Sequence, residues 1–544
     1  MENQNTPFVV LAIMDGWGIA PDGPGNAISQ AKTPTLDGLT AAYPHTQLIA
    51  SGEGVGLPKG EIGNTETGHL NIGAGHIVYQ DLPRINMAIA DGEFFKNKEF
   101  LEAINHARQN NSKLHLIGLI GAGGVHANPE HLFALLQLAS QNNFHDVFLH
   151  LITDGRDSAP TSALDYLGRV EEEIKKVGLG TVATVMGRYW AMDRDFRWDR
   201  TARAYWAMVK GEGNTFTSAQ EAIKNSYDKK VTDEFIEPAV ISKDGKPLAL
   251  IGNNDSAVFF NFRIDRPRQL TKAFVMENFE AEANTLWSFD PYSVNYSKSH
   301  LANQDQSRLP PFKRGPGLSN LFFVTMTKYG DGIPVHVAFP PEIVRMPLGR
   351  VIAEAGHRQL RAAESEKERF VTFYFNGLRE TAFPGEERLI IPSPKVKTYD
   401  LKPEMSANEL TEEILANIKE NVYKLIVINF ANADMVGHTG VIPAAIQACE
   451  TVDSCLAKIS EVVIALGGTL VITADHGNAE EMIDPKTGQA VTEHSTNPVP
   501  FIVVSKTPSP QTLPSGILAD IAPTILNLLG IPVPAQMTGR NLLQ

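Results

Sequence analysis

The chain has 544 residues, 43% of them hydrophobic and 20% charged, and a net charge of −14. That length exceeds what one compact core holds and favours two or more domains. The acidic balance excludes a general nucleic-acid binder, which needs a basic face. It leaves small anionic ligands open, because a local cluster of Arg and Lys can hold positive potential in one cleft.

The first predicted element is a strand at 8–14, inside MENQNTPFVVLAIMDGWG. Its apolar run is short and no basic region precedes it, so it does not read as a secretory signal. Apolar runs of strand length recur at 114–119, 147–152, 181–185, 425–430 and 469–473. Each is rich in Val, Ile, Leu or Phe with little alternation, as in strands buried on both faces. Helical patterns lie between them. The clearest is Ala445, Cys449, Val452, Leu456, Ile459 and Val463, whose steps of three and four put one apolar stripe on a helix. Cys449 and Cys455 belong to that pattern and read as packing residues, not as a disulfide framework. Strands alternating with helices predict an α/β fold with mostly parallel sheets. The stretch 291–320, rich in Ser, Asn and Pro, is expected to be a domain boundary. No segment reaches the roughly 20 apolar residues of a membrane span. A cytoplasmic protein without membrane contact is expected.

Three predicted strands end in similar chemistry. Asp15 follows the first, in MDGWG. Asp434 and His438 follow the run at 425–430, in ANADMVGH. Asp475 and His476 follow the run at 469–473, in ADHGN. Functional groups collect at the carboxyl ends of parallel strands, so these residues can converge. His494, in EHSTNPVP, adds an imidazole. Mixed carboxylates and imidazoles suit Mn, Zn or Fe better than Ca. The set is too large for one four-coordinate ion and fits two that each keep an open position. Alone, each such Asp is a turn or cap residue and each His a packing residue; the set together points to metal.

Between the first Asp and the rest lies PKGEIGNTETGHLNIGAGH, residues 58–76, with glycines at 60, 63 and 68 around Thr65. A metal-bound hydroxyl becomes a nucleophile near neutral pH. The same segment suits a helix N-cap, and a helix N-terminus also favours phosphate. Residues 81–310 carry His126 in GGVHAN, Asp154, Arg156 and Asp157 in LITDGRDSAP, Arg188 and Arg194 in GRYWAMDRDFRWDR, and Arg263 and Arg266 in NFRIDRPRQ; Lys367 follows in AAESEKERF. Arg binds carboxylate and phosphate through a bidentate fork, so this set reads as an anion trap.

GNTETGHLNIGAG, residues 63–75, resembles the nucleophile segment of cofactor-independent phosphoglycerate mutases of the alkaline phosphatase superfamily. DGWG, ADMVGH, ADHGN and HSTNPVP resemble that family's metal motifs, in the family's order. The resemblance implies a discontinuous phosphatase-like metal domain at 1–80 and 316–544. A substrate domain would be inserted at 81–310, with a linker at 311–315. It implies two divalent ions, Mn by preference with Zn or Co as variants, and no need for 2,3-bisphosphoglycerate. One ion would be held by Asp15, Thr65, Asp475 and His476, the other by Asp434, His438 and His494. Arg263, Arg266 and Lys367 would contact the phosphoryl group. Arg156, Asp157, Arg188, Arg194 and His126 would hold glycerate. Thr65, Lys367 and Asp157 are expected to take part in catalysis. The implied reaction interconverts 3- and 2-phosphoglycerate in a monomer, through a phosphothreonine. The alternatives are a two-metal phosphatase, a phosphomutase for another sugar phosphate, and a degenerate metal-binding homologue. The sequence departs from the family at Thr65, where Ser is usual, and at Gly121, Ala122, Ala127 and Asn128, which replace polar members of a loop.

Overall fold

The computed structural model describes residues 7–284, 310–484, 486–509 and 511–544. Contacts divide the chain into two compact units, Met1–Gln80 with Glu342–Gln544, and Asp81–Pro341. Among the described residues, each unit is built on its own nine-stranded sheet.

In the first unit the central strand is Val9–Met14, buried at every position. It pairs in parallel with Leu425–Phe430 on one side and Thr469–Thr473 on the other. Covering each large aliphatic side chain of such a strand contributes roughly 1.5–3 kcal/mol. Gln359–Glu364 and Glu386–Ile391 extend the parallel part, while Val499–Val504 runs antiparallel to Thr469–Thr473. The helix Ile442–Ala465 buries Ala445, Cys449, Val452, Leu456, Ile459 and Val463, the stripe expected from spacing. Both cysteines are buried and free.

The second unit places Leu114–Ile120, Val147–Thr153 and Thr181–Gly187 side by side in parallel. Ser256–Phe259, Phe322–Thr327 and His336–Phe339 continue the parallel sheet on the other flank. A buried polar chain runs from Asp255, just before the strand Ser256–Phe259, across the three strands beside it. His115 Nε2 lies 3.2 Å from Asp255 Oδ2, His115 Nδ1 lies 3.0 Å from His150 Nε2, and His150 Nδ1 lies 2.9 Å from Thr184 Oγ1. Fully partnered polar chains of this kind fix strand register, since a slip of one residue would orphan every member.

The return to the first unit lies later than the sequence reading placed it. The resemblance implies that residues 316–341 belong to the metal domain, but Phe322–Thr327 and His336–Phe339 pair in the second sheet. The expected linker at 311–315 is also anchored. Arg314 is 5% exposed and donates from Nη1 to Ala273 O at 3.0 Å. The signal that misled is composition: a polar stretch reads as a boundary, but the described residues on both sides of it belong to the second unit. Of that stretch, residues 291–309 lie outside the described residues. Among the described residues, no helix is long and apolar enough to cross a membrane.

Candidate active site

The first cluster grows from three adjacent strand ends in the first unit. Asp15 follows Val9–Met14, Asp434 sits in the short helix Asn432–Gly437 after Leu425–Phe430, and Asp475 and His476 follow Thr469–Thr473. Glycine allows the close approach. Gly16 has φ +74°, and a Cβ there would come within 2.7 Å of the Asp434 backbone. The helix Thr65–Ala74 starts on Thr65, with Asn64 as its cap accepting from Thr67 N at 2.9 Å. It lies on the Asp475 loop at Gly68, where a Cβ would meet Asp475 O at 2.6 Å. Thr65 therefore stands at a helix N-terminus, where free N–H groups favour an anion.

Thr65 Oγ1 is 2.9 Å from His476 Nε2 and 3.4 Å from Asp15 Oδ1. Lys367 Nζ donates to it at 3.2 Å, and to Asp15 Oδ1 and Asp434 Oδ2 at 2.7 Å each. Asp15, Asp434, Asp475 and Lys367 are all 3% exposed or less. Three buried carboxylates against one ammonium leave a negative excess that burial makes costly unless cations join it. Burial would lower the Lys367 pKa, but Asp15, Asp434 and Asp475 hold it well above its ordinary value. Burial likewise opposes the charge on His476, yet Asp475, Asp15 and Asp434 push its pKa up to about 10. Asp434, despite burial, is held well below its ordinary value by Lys367, His438 and His494.

The imidazoles are aimed by their outer nitrogens. Nδ1 of His438 donates to Thr492 O at 2.7 Å, that of His494 to Gly63 O at 2.9 Å, and that of His476 to Gly477 O at 3.2 Å. Such bonds fix the tautomer and leave Nε2 as the ligand atom. His438 Nε2 and His494 Nε2 then face each other at 3.1 Å, each 3.2 Å from Asp434 Oδ1. Three lone pairs in a triangle of this size repel unless a proton on an imidazole or a cation among them intervenes. They suit one first-row divalent ion with ligand bonds of about 2 Å. Asp15, Thr65, Asp475 and His476 form a neighbouring set, with His476 Nε2 at 3.4 Å from Asp15 Oδ1 and 3.6 Å from Asp475 Oδ2. Other groupings also converge: Asp434 with His476 and His494, and Asp15 with His69 and Asp475.

Sequence reasoning passed over His69, Asn429 and Asn478. His69 Nδ1 is 3.2 Å from Asp475 Oδ2. Asn429 Nδ2 donates to Asp15 Oδ2 at 2.7 Å, and Asn478 Nδ2 to Asp434 Oδ1 at 3.0 Å. Two signals were available. His69 is four residues after Thr65, on the same helix face. Asn429 is the one polar residue in the strand LIVINF.

The second cluster lies wholly in the second unit, again at the carboxyl ends of parallel strands. Arg188, 2% exposed, bridges Asp154 Oδ1 and Asp157 Oδ2 through Nη1 at 2.5 Å each. Arg194 Nη1 donates to Asp265 Oδ2 at 2.6 Å, and Arg263 Nε lies 3.3 Å from Asp265 Oδ1. Arg266 donates to Met192 O at 3.2 Å. Burial lowers its pKa, and so do Arg188 and Arg194 nearby, the mark of crowded cations. Arg156 stands apart, 56% exposed and 3.5 Å from Glu234 Oε1. His126 is 4% exposed; burial first, then Arg188, lowers its pKa to about 4, so it is a neutral imidazole. Its Nδ1 lies 3.7 Å from Asp265 Oδ1, and neither atom completes a hydrogen bond among the described residues. Burial favours the neutral acid at Asp157, but Arg188 outweighs it and keeps the carboxylate ionised. Lys367, grouped with Arg263 and Arg266 in the sequence reading, lies in the first unit with the metal-type residues.

Known proteins resemble the chain along its length. A family model described as the BPG-independent PGAM N-terminus matches residues 85–331. A 2,3-bisphosphoglycerate-independent phosphoglycerate mutase from Chloroflexus aggregans is 53% identical over 544 residues, covering 98% of each chain. One from Moorella thermoacetica is 51% identical, covering 99% of this chain and 98% of its own. Among solved structures, a phosphoglycerate mutase from Leishmania mexicana, crystallised at low cobalt concentration, is 29% identical with a TM-score of 0.56. It covers 99% of this chain and 98% of its own.

Proposed function

The chain belongs to the 2,3-bisphosphoglycerate-independent phosphoglycerate mutases, and on that premise we propose how its residues divide the reaction. It is an isomerase that interconverts 3-phosphoglycerate and 2-phosphoglycerate. Its family depends on metal and does not need 2,3-bisphosphoglycerate.

Phosphoryl chemistry belongs to the first cluster. Asp434, His438 and His494 would hold one divalent ion, and Asp15, Thr65, Asp475 and His476 a second, with Mn preferred. When bound, such ions lower the pKa of a coordinated hydroxyl and neutralise phosphate oxygens. Thr65 Oγ1 forms the bond to phosphorus as the bond to the glycerate oxygen breaks, giving a phosphothreonine. Lys367, already directed at Thr65 Oγ1 and two carboxylates, stabilises charge on the transferring oxygens.

Recognition belongs to the second cluster. Arg188, Arg194, Arg156 and His126 hold glycerate, and Arg263 and Arg266 reach for the phosphoryl oxygens. Asp157, kept ionised by Arg188, takes the proton from the glycerate hydroxyl that recovers the phosphoryl group and returns it to the one that leaves. Retention of glycerate between the two transfers makes the enzyme a mutase; water in its place would make it a phosphatase.

The observation that carries this reading is the convergence on Thr65 Oγ1 of His476, Asp15 and Lys367, each within 3.4 Å. Rapid quenching followed by mass spectrometry should find phosphate on Thr65. Thr65→Ser should keep substantial activity, whereas Thr65→Val, which keeps the shape and removes the hydroxyl, should lose at least about 10³-fold in kcat. Interconversion by Thr65→Val near the parent rate would make Thr65 structural.

A further inference from the structure

The loop carrying Arg194 joins the helices Arg188–Ala191 and Trp198–Val209. Two buried polar side chains that take no part in the chemistry above hold it in place. Asp193 and Gln269 are each 5% exposed. Asp193 Oδ2 accepts from the backbone N–H of Asp195 at 3.1 Å and of Arg197 at 2.9 Å. It also accepts from Gln269 Nε2 at 3.0 Å. The same amide donates to Thr201 Oγ1 at 2.7 Å, and its Oε1 accepts from Phe196 N at 3.0 Å.

Phe196 has φ +58°, a left-handed conformation that a bulky side chain disfavours. Strain of this kind persists only where the surroundings over-determine it. Here Asp193, through the N–H groups of Asp195 and Arg197, and Gln269, through that of Phe196, supply hydrogen bonds on both sides of the turn. Gln269 belongs to the helix Pro267–Val275, which directly follows Arg263, Asp265 and Arg266. One side-chain amide thus ties the Arg194 loop to the segment bearing Arg263 and Arg266.

We propose that Gln269, working with Asp193, is a positioning residue for substrate recognition: it fixes the strained turn at Phe196 and so presents Arg194 in one orientation. The inference rests on the reading that Arg194 holds glycerate. A primary amide suits the task because it donates to a carboxylate and accepts from an N–H at once; carboxylates only accept and ammonium groups only donate. The Arg194 side chain is 47% exposed, and Asp265 is the carboxylate that holds its guanidinium. A relaxed turn would let that guanidinium explore other orientations at no loss of its charge.

The test uses the full chain loaded with Mn. Gln269→Leu should raise KM for 3-phosphoglycerate about tenfold while kcat changes by no more than about threefold. Gln269→Leu added to Arg194→Ala should cause no further rise, because a residue that acts through Arg194 has nothing left to position. An unchanged KM in Gln269→Leu overturns the proposal, and so do additive effects in the double variant, which give Gln269 a general structural role. A raised KM in Arg194→Ala beside an unchanged one in Gln269→Leu defeats the proposal and spares the reading of Arg194. An unchanged KM in Arg194→Ala defeats both. If Gln269→Leu does not fold, Gln269→Glu keeps the acceptor for Phe196 but sets a second carboxylate against Asp193. The same KM rise is expected, and its absence overturns the proposal.

Discussion

The two clusters solve opposite electrostatic problems. The first gathers Asp15, Asp434 and Asp475, each 2% exposed or less, around one ammonium. The second gathers guanidinium groups, and the side chains of Arg156, Arg194 and Arg263 are 56%, 47% and 51% exposed. Both sit at carboxyl ends of parallel strands, so the backbone does not explain the difference. The chemistry does. Stabilising charge on a transferring phosphoryl group needs charges that are fixed in advance and kept from water. Capturing a diffusing anion needs positive potential that solvent-borne ligands can feel.

The largest expected effect separates the clusters by metal. A chelator should abolish interconversion and Mn should restore it. Protection of the second unit by 3-phosphoglycerate in hydrogen exchange should survive the same treatment. Turnover after exhaustive metal removal would end the metal reading, and lost protection would end the division between the clusters.

Lys367 offers the next test. Lys367→Met removes the ammonium from three buried carboxylates, and breaking a buried pair costs about 3–5 kcal/mol. Denaturant unfolding of the metal-free protein should show that loss, with kcat of the Mn-loaded enzyme down about 10²-fold. An unchanged unfolding midpoint would mean that Lys367 neutralises nothing that matters to the fold.

A smaller effect is expected at Arg194. Arg194→Ala should reduce kcat/KM for interconversion about 10²-fold and hydrolysis of a simple phosphate ester by less than about threefold. Equal losses in the two assays would break the division of labour between gripping glycerate and moving phosphate.

The smallest effect is one of pH. In the second unit, burial lowers the pKa of His115 and His150, and lowers His131 to about 3. Burial and Arg188 lower His126 to about 4. The unfolded chain protonates these imidazoles near pH 6.5, while folded His126 waits until about pH 4. Across that window the unfolded state binds more protons, so acidification destabilises the second unit, on the order of 1–3 kcal/mol. His476 in the metal-free first unit has the opposite sign. Its pKa is raised to about 10, so its contribution is complete below the unfolded value and lost as pH rises through about 10. Hydrogen exchange near pH 7.5 and pH 5, corrected for intrinsic rates, should show the second sheet opening more readily at the lower pH. No difference there would mean that the buried imidazoles are protonated in the fold.

Much of the fold was legible because its central strands are buried on both faces and so read as unbroken apolar runs. The runs at 425–430 and 469–473 coincide with strands Leu425–Phe430 and Thr469–Thr473. Gln359–Glu364 was not legible. It is buried at every position, yet reads QLRAAE, and pairing with neighbours replaces apolar character there: Gln359 donates to Gly349 O, and Arg361 to Gln359 Oε1. The site residues were visible as motifs at strand ends. Their partners were harder to see: Asn429 shows only as the one polar residue of its strand, and Asn478 and Asp265 act by orienting other groups, which leaves no spacing rule in a sequence. Gln269 was hidden for the same reason.

The discontinuity of the first unit bears on how the protein is made. Val9–Met14 is the middle strand of its sheet, but its two neighbours are Leu425–Phe430 and Thr469–Thr473. During synthesis at about 5–20 residues per second, that strand leaves the ribosome roughly 20–80 s before its first partner. Asp81–Pro341 emerges whole in the interval and can complete its own sheet. VVLAIM, wholly apolar, meanwhile has no edge to join. A nascent chain of this layout holds a wholly apolar segment without its partners throughout that interval, which makes it a natural client for holding chaperones and a place where slowed translation would raise the yield of aggregates.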